Sequence, residues 1–197
     1  MKLIRNLTKV SAVLIVLTMP ASARAGEATA QLKRTIDEFV AILVNTSVEE
    51  LQATGLPQKA LKLIYGRFDF SEMTKRSLGK HWNLLAQPEQ TEFVEAYTNR
   101  LLYAYGRTVR ASGDEKIEFK GETGDDKFAN VETKVVSGNG EELPIDYHLL
   151  VSDGQWRVYD MVIDQISIVK NYRAQFERVI AKTSIKELLQ RMKKIES

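Results

Sequence analysis

The stretch WRVYDMVIDQISIVKNYRAQF, at residues 156–176, contains the change of pattern that decides the fold of this chain. Its first half is rich in β-branched and aromatic residues and is typical of a strand. Ser167 then precedes Ile168, Tyr172 and Phe176, whose spacing of four predicts a helix capped by that serine. The strand has apolar groups on both faces and no recognisable catalytic residue. It therefore suits an apolar ligand better than a chemical reaction.

Three segments upstream, around 117–119, 131–135 and 145–151, alternate apolar and polar residues. This period of two is typical of strands with one buried face. The loop Gly138-Asn139-Gly140 must contain an odd number of residues if the second and third segments are to keep their apolar residues on one face. A glycine bulge would give the loop that odd number. Asp153-Gly154 is a two-residue hairpin signal that joins the third segment to the strand at Trp156.

Counting outward from that hairpin predicts which residues share a face, because directly opposed residues lie on the same side of a sheet. The expected pairs are Val151 with Trp156, Leu149 with Val158, Tyr147 with Asp160, and Ile145 with Val162. This register puts Val162 on the inner apolar face. Asp160 becomes the polar exception there, bonded to the Tyr147 hydroxyl or to a backbone amide.

Helical spacing dominates the rest of the chain. It predicts helices over 27–44, from Pro57, from Asp69 or Ser71 to Gly79, and from Pro88 to 112–114. After the helix capped by Ser167, a break at Thr183-Ser184 precedes a last short helix. Helices, then an antiparallel meander, then helices predict an α+β fold in which the sheet packs against several helices, with room for an apolar cavity between them.

Residues 1–25 have the composition of a secretory signal peptide. A basic start precedes an apolar run of about ten residues and small residues that favour cleavage after Ala25. A membrane anchor would need about 20 apolar residues, and no cysteine is present for a lipoprotein anchor. We therefore expect a single domain over 26–197, exported to the periplasm.

The charge of the exported domain gives no sign of nucleic-acid binding. Four of the 28 basic residues and none of the 26 acidic residues lie in 1–25, so the net charge of +2 becomes −2 after cleavage. The absence of cysteine means that packing, and not disulfide bonds, must stabilise this exported domain.

Residues with catalytic or metal-binding chemistry are scarce. His81 and His148 are the two histidines, and no nucleophile elbow, phosphate loop or dinucleotide fingerprint occurs in the sequence. His148 alternates outward on its strand, and acidic pairs such as Glu141-Glu142 fall in turns. We therefore expect no catalytic residue, no metal and no cofactor.

An ordered series of motifs resembles the MlaC family of periplasmic phospholipid-binding proteins, also called toluene-tolerance auxiliary transport proteins. The motifs are FDFxxM at 68–73, SLGxxW at 77–82, PEQxxF at 88–93, LLxxY at 101–105, WxVYD at 156–160 and ISIVxNYRxQF at 166–176. Together they cover nearly all of the exported domain. Relatives often have a glycine where this chain has Asp164-Gln165, which leaves the geometry of that turn open.

The resemblance implies a carrier that shuttles phospholipid across the periplasm and maintains the lipid asymmetry of the outer membrane. Its implied partners are an outer-membrane lipoprotein and porin complex and the MCE-domain subunit of an inner-membrane ABC transporter. The bound phospholipid would be cargo and not a cofactor. The residues expected to contact the lipid tails are Met73, Leu78, Trp82, Tyr105, Tyr147, Leu149, Val158, Val162, Ile168 and Tyr172. Asp160, Asn171 and Arg173 match motif positions and are interpreted first as structural groups.

Three alternatives remain open at this point. The chain could carry another lipid, such as a hopanoid. It could be a periplasmic interaction module with a filled core and no ligand. A lipid hydrolase would need a nucleophile and a base, for which the sequence offers only the two histidines.

Overall fold

A computed structural model describes residues 26–106 and 115–194, and in them helices precede and follow one antiparallel sheet. The helices are α1 Glu27–Val44, α2 Val48–Thr54, α3 Gln58–Arg67, α4 Phe70–Leu78, a 3-10 helix Gly79–Leu84, α5 Gln87–Gly106, α6 Ile168–Lys182 and α7 Ile185–Lys193. The strands are β1 Lys116–Gly124, β2 Phe128–Val136, β3 Glu142–Ser152, β4 Gln155–Ile163 and β5 Ile166–Ser167, in that spatial order. The α+β prediction is confirmed.

Two predictions from the sequence concern residues outside the described ranges. The signal peptide, residues 1–25, and the expected helix end at 112–114 lie outside the described residues. Among the helices that are described, none combines the length and apolar character needed to cross a membrane.

Polar side chains cap four of the described helices, namely α2, α4, α6 and α7. The sequence predicted the caps of α4 and α6. The Asp69 carboxylate accepts a hydrogen bond from the Glu72 amide (2.8 Å), and the Ser167 hydroxyl accepts one from the Lys170 amide (3.0 Å). Each side chain satisfies an amide that the first turn of a helix leaves without a partner. Two short elements, α2 and the 3-10 helix, were not predicted, because neither is long enough to show a periodic apolar face.

Helix α1 covers one face of the sheet, which we call the α1 face. Glu122 of β1 holds the start of this helix by accepting hydrogen bonds from the amides of Gly26 (3.0 Å) and Thr29 (2.8 Å). The buried residues between helix and strands, the sheet cluster, are Ala28, Leu32, Ala129, Val131, Leu149, Trp156 and Val158.

The other apolar core, the helical cluster, lies among α4, α5, α6 and α7. It consists of Phe70, Met73, Leu78, Phe93, Ala96, Tyr97, Leu101, Ile168, Val169, Tyr172, Phe176, Leu188, Leu189 and Met192. Tyr97 is at its centre, with edge-to-face contacts to Tyr172 (5.1 Å between centroids) and Phe176 (5.8 Å). The Tyr97 hydroxyl also hydrogen-bonds to Ser77 (3.0 Å), so the polar tip of this buried ring is satisfied.

A β-bulge in β4 corrects the predicted register of the hairpin. Val151 pairs with Trp156 and Leu149 with Val158, as expected, but the register shifts between His148 and Leu149. The shifted pairs are His148 with Asp160, Tyr147 with Met161, Asp146 with Val162, and Ile145 with Ile163. One extra residue in a strand moves every later side chain to the other face. The predicted pairings of Tyr147 with Asp160 and of Ile145 with Val162 are therefore wrong.

The extra residue is Tyr159, and its ring has aromatic and cationic neighbours. Its ring lies beside His148 and Phe128, and the Arg76 guanidinium from α4 lies over it, 4.1 Å from the centroid. A cation over an aromatic ring is stabilising. Arg76 belongs to a helix that is far from β4 in the sequence, so a register predicted from the strand sequences alone could not take this contact into account.

Other parts of the chain hydrogen-bond to the backbone along the outer edge of β4, so this edge does not present a row of unpaired backbone groups. At Trp156, the amide donates to the Gln31 side chain (3.1 Å) and the carbonyl accepts from Arg67. At Val158, the carbonyl accepts from the Asp69 amide (2.8 Å). Strand β5 pairs with the last two residues of β4. The segment that leads into α4 thus docks directly on the sheet.

Both predicted hairpin turns are confirmed. Asp153 and Gly154 have φ angles of 49° and 74°, and two left-handed residues in a row define the type I′ turn. In the preceding loop the Gly140 amide donates to the Ser137 carbonyl (2.9 Å), and Gly140 has a φ of 84°. A turn followed by one left-handed glycine is the glycine bulge that the odd loop needs.

The turn at Asp164-Gln165 is strained, since φ is 46° at Asp164 and 66° at Gln165. The left-handed region costs a residue with a side chain about 1 kcal/mol relative to glycine. We expect Gln165→Gly to raise the free energy of unfolding by roughly 1 kcal/mol in urea denaturation. Gln165→Ala keeps the strain and should give no gain, and an equal gain from both would contradict this explanation.

Candidate functional site

The two apolar clusters meet at a junction formed by Phe68 and Met161, each of which is partly buried and packs against both clusters. Phe68 lies between α3 and α4 and stacks on Phe70 (5.7 Å between centroids). Met161 lies on the α1 face, opposite Tyr147 of β3. The junction is the place where apolar side chains of the sheet and of the helices approach each other and remain accessible.

Tyr147 and Tyr105 are large amphipathic side chains at the margins of the two clusters. Tyr147 is partly buried beside the sheet cluster, and burial raises its pKa to about 12. Tyr105 is partly buried beside the helical cluster, and burial raises its pKa as well.

The raised pKa of Tyr147 predicts a specific loss of stability at high pH. An unfolded tyrosine has a pKa of about 10, so the folded protein keeps the proton longer than the unfolded chain does. The stabilisation is fully present below pH ~10 and disappears between pH ~10 and ~12, by up to roughly 2 to 3 kcal/mol. In urea denaturation Tyr147→Phe should lose less stability than wild type between those pH values. The exposed-ring control Tyr65→Phe should follow wild type.

The ten predicted tail-contact residues fall into three groups. Trp82, Tyr105 and Tyr147 keep accessible surface beside the two clusters. Six are fully packed against other side chains, with accessible fractions of 6 % or less, namely Met73, Leu78, Leu149, Val158, Ile168 and Tyr172. Val162 pairs with Asp146, so its side chain lies on the other face of the sheet from Leu149. Its predicted place on the same face as Leu149 is therefore wrong. The six buried residues belong to the packed interior of the clusters, and the first three keep surface at the margins of the clusters.

Met161 and Phe68 are the residues of this site that sequence reasoning missed. Met161 was assigned to the other face because the register count did not include the bulge. Phe68 was seen only as part of a motif. Its position next to Asp69, the cap of α4, is the signal that could have placed it near the sheet, since Asp69 also bonds to Val158.

A separate cavity of about 430 Å³ opens among α3, α4, the 3-10 helix and α5. Of the predicted contact residues it includes Trp82 alone. Tyr65, Phe70 and Val94 supply the rest of its apolar lining, and the polar lining consists of Ser71, Gln87, Gln90, Thr91, Glu95, Thr98 and Asn99. The lining therefore mixes polar and apolar side chains, and most of its accessible surface is apolar.

Asp160 has a structural role at the start of α6. Its carboxylate accepts hydrogen bonds from the Ser167 hydroxyl (2.5 Å) and the Val169 amide (3.0 Å), and His148 Nδ1 lies 3.9 Å away. The expected backbone-amide partner is therefore present, whereas the expected Tyr147 partner is not. A buried carboxylate at a helix N-terminus is stabilised by the amides there.

Neither histidine forms a catalytic pair within residues 26–106 and 115–194. His81 Nε2 lies 3.2 Å from Glu177, and this hydrogen bond, with the charges of Lys80, His81 and Arg173, lowers the pKa of Glu177. His148 contacts Tyr159 and Asp160. In the same part of the chain, no three His, Asp or Glu side chains are close enough together to hold a metal ion.

The protein-family model described as "MlaC protein" matches residues 29–194 of this chain. Among curated relatives, a toluene tolerance protein, ttg2D, of Pseudomonas putida is 30 % identical over 55 % of this chain and 51 % of its own length. The intermembrane phospholipid transport system binding protein MlaC of Haemophilus influenzae is 22 % identical over 61 % of this chain and 58 % of its own length. The chain thus spans only a little over half the length of these two relatives.

A solved structure has the same fold. It is the phospholipid-binding protein from Ralstonia solanacearum in complex with a phospholipid, with a TM-score of 0.74 and 26 % sequence identity. The alignment covers 85 % of this chain and 95 % of that one.

Proposed function

Because the chain belongs to the MlaC family, we propose that it is a phospholipid-binding transport protein. The observation that supports this most is the neighbour of the same fold and 26 % identity, which is in complex with a phospholipid. The tails would lie at the junction, against Met161 and Tyr147, with Tyr105 on the side of the helical cluster. The fully buried residues would support these side chains from behind.

The physical case for a carrier rests on the cost of exposing acyl chains to water. Each CH₂ group gains about 0.8 kcal/mol on leaving water, so a lipid with two chains crosses an aqueous compartment only when it is shielded. Phe68 and Met161, which form the junction, are both apolar. Tail burial of this kind gives little discrimination between headgroups.

We propose that the lipid moves between an outer-membrane lipoprotein and porin complex and the MCE-domain subunit of an inner-membrane ABC transporter. The exported domain, released from its signal peptide after about Ala25, would act in the periplasm and maintain the lipid asymmetry of the outer membrane. A reconstituted transfer assay would test this step. Lipid that passes from loaded protein to the purified MCE subunit supports it, and lipid that stays bound in the presence of both partner complexes contradicts it.

Native mass spectrometry of the mature protein, purified without detergent, tests lipid binding itself. We expect about one phospholipid per chain, and fragmentation of the bound mass identifies it. A hopanoid mass would favour the alternative cargo. A bare polypeptide mass, even after incubation with liposomes, would favour an interaction module and contradict the proposal.

We further propose that the protein is not an enzyme. A lipid hydrolase would need a nucleophile hydrogen-bonded to a base. Among the described residues, His81 hydrogen-bonds to Glu177 and His148 lies near Asp160, and neither histidine hydrogen-bonds to a serine or threonine hydroxyl. Incubation with the bound phospholipid should leave the lipid intact. Release of fatty acid that disappears in a His81→Gln or His148→Gln variant would overturn this.

A further inference from the structure

The cavity among α3, α4, the 3-10 helix and α5 has one aromatic wall. Tyr65, Phe70 and Trp82 supply its rings, and the Tyr65 ring lies edge-on to that of Phe70 (5.7 Å between centroids). Gln90 of α5 fixes the 3-10 helix, since its side-chain amide donates to the carbonyls of Trp82 (3.2 Å) and Leu85 (3.3 Å). The three rings therefore line one space of about 430 Å³, a volume typical of small-molecule sites.

Helix α5 makes the facing wall acidic. Residues 87–99 of this helix include three glutamates and no basic residue. Glu92 pairs with Lys193 (2.8 Å) and lies outside the lining. Glu95 lines the cavity, is exposed, and takes part in none of the ion pairs of the described residues. Its carboxylate is therefore a negative charge at the cavity without a protein counter-charge in that part of the chain.

The chemistry of the whole lining selects the charge of a ligand. Among the described residues that line the cavity, Glu95 is the sole charged side chain. An anion would be repelled by this carboxylate, and no cationic side chain of the lining would compensate. A cation is attracted both by the carboxylate and by the faces of aromatic rings. Three rings and one carboxylate are thus complementary to an organic cation with an apolar outer surface.

We propose that this cavity binds an organic ammonium group, with the aromatic rings around its carbon atoms and the Glu95 carboxylate as its counter-charge. Aromatic cages of this kind recognise quaternary ammonium groups such as choline. The chemistry is the same whether the group belongs to a lipid headgroup or to a free amine. Phe70 stacks on Phe68 of the junction (5.7 Å between centroids), so the cavity adjoins the place proposed for the lipid tails. Ammonium binding does not depend on lipid transport, since each can exist without the other.

Isothermal titration calorimetry with choline chloride, at constant ionic strength and on the mature protein, tests the site. We expect saturable binding in wild type. Glu95→Gln should weaken it about threefold or more, because it removes an exposed counter-charge. Glu92→Gln, which makes the same charge change on the same helix outside the lining, is the matched control and should bind as wild type does.

A second ligand separates charge recognition from simple apolar binding. The neutral analogue of choline, in which carbon replaces nitrogen, has the same shape and should bind wild type at least about threefold more weakly than choline. Trp82→Leu should weaken choline binding, and Trp82→Phe, which keeps a ring, should weaken it less. Because Glu95 is exposed, Glu95→Gln should stay folded even if a Trp82 variant does not, and circular dichroism verifies this.

Three results would each overturn the proposal. They are absence of saturable choline binding in wild type, Glu95→Gln binding choline as tightly as wild type, and equal affinity of wild type for choline and its neutral analogue. The last of these would show that the cavity binds apolar groups without regard to charge.

Native mass spectrometry after incubation with liposomes of phosphatidylethanolamine and phosphatidylglycerol in equal amounts identifies the source of the ammonium group. If it belongs to the carried lipid, wild type retains more phosphatidylethanolamine, and Glu95→Gln loses this preference. If it is a free amine, the two proteins retain the two lipids in the same ratio. A protein that binds choline and no lipid would contradict the proposed transport function and leave the ammonium site intact, whereas lipid binding without choline binding would do the reverse.

Discussion

Met161→Glu is expected to lose its bound phospholipid and keep its fold. Met161 is partly buried at the junction and packs against both apolar clusters. A carboxylate there would be in contact with the acyl chains, and burying a charge in an apolar environment costs several kcal/mol. Lipid occupancy should fall at least roughly tenfold, since each 1.4 kcal/mol is a factor of ten. Native mass spectrometry measures the loss.

The neighbouring residue provides a matched control. Val162 is also partly buried, but the bulge in β4 puts it opposite Asp146 on the other face of the sheet. Val162→Glu should therefore retain lipid at the wild-type level. The opposite result, loss of lipid in Val162→Glu and retention in Met161→Glu, would show that the register without a bulge is the correct one.

Loss of lipid must not be confused with loss of the fold. Met161→Gln introduces a polar group of similar size without a charge, and it should retain more lipid than the glutamate variant. Circular dichroism and urea denaturation establish that each variant is folded. Equal lipid retention in folded wild type, Met161→Gln and Met161→Glu would contradict the proposed position of the tails.

Asp160→Ala is expected to lower the free energy of unfolding by about 3 kcal/mol. The Asp160 side chain is 4 % exposed and accepts hydrogen bonds from Ser167 and from the Val169 amide. Its removal leaves two buried donors without this partner at the start of α6. A hydrogen bond to a charged group contributes roughly 1.5 to 3 kcal/mol, and loss of a helix cap about 1 kcal/mol. Urea denaturation measures the change.

Two comparisons make this result specific to the hydrogen bonds. Asp160→Asn keeps an oxygen for the Val169 amide and should cost clearly less than Asp160→Ala. Asp37→Ala removes an exposed carboxylate paired with Lys33 on one helix face, and its effect should stay within about 0.5 kcal/mol. A cost for Asp160→Ala as small as that for Asp37→Ala would contradict the role of Asp160 in joining β4 to α6.

The candidate site was predicted in outline and corrected in detail. Tyr105 and Tyr147 were predicted as contacts, and they keep accessible surface beside the helical cluster and the sheet cluster respectively. Val162 was predicted and Met161 was missed for one reason, the extra residue in β4. Whether the lipid contacts these side chains remains the prediction that the Met161 and Val162 variants test.

The covered edge of β4 shows the same limit. Arg67 is far in the sequence from Gln31, Thr35 and Trp156, and it hydrogen-bonds to all three. No local pattern contains that information.

Local chemistry, readable from the sequence alone, determined the elements of this protein and their order. Helical spacing, caps such as Asp69 and Ser167, and the turns at Asp153-Gly154 and Gly138–Gly140 act between residues close in the chain, so they predicted an α+β fold with an antiparallel meander. The bulge at Tyr159, whose ring contacts Arg76 of a helix far away in the sequence, is seen only in the tertiary structure. The tertiary structure also decided how the edge of β4 is covered and where the two clusters meet. These features depend on contacts between residues far apart in the chain, whose free energies no short stretch of sequence contains.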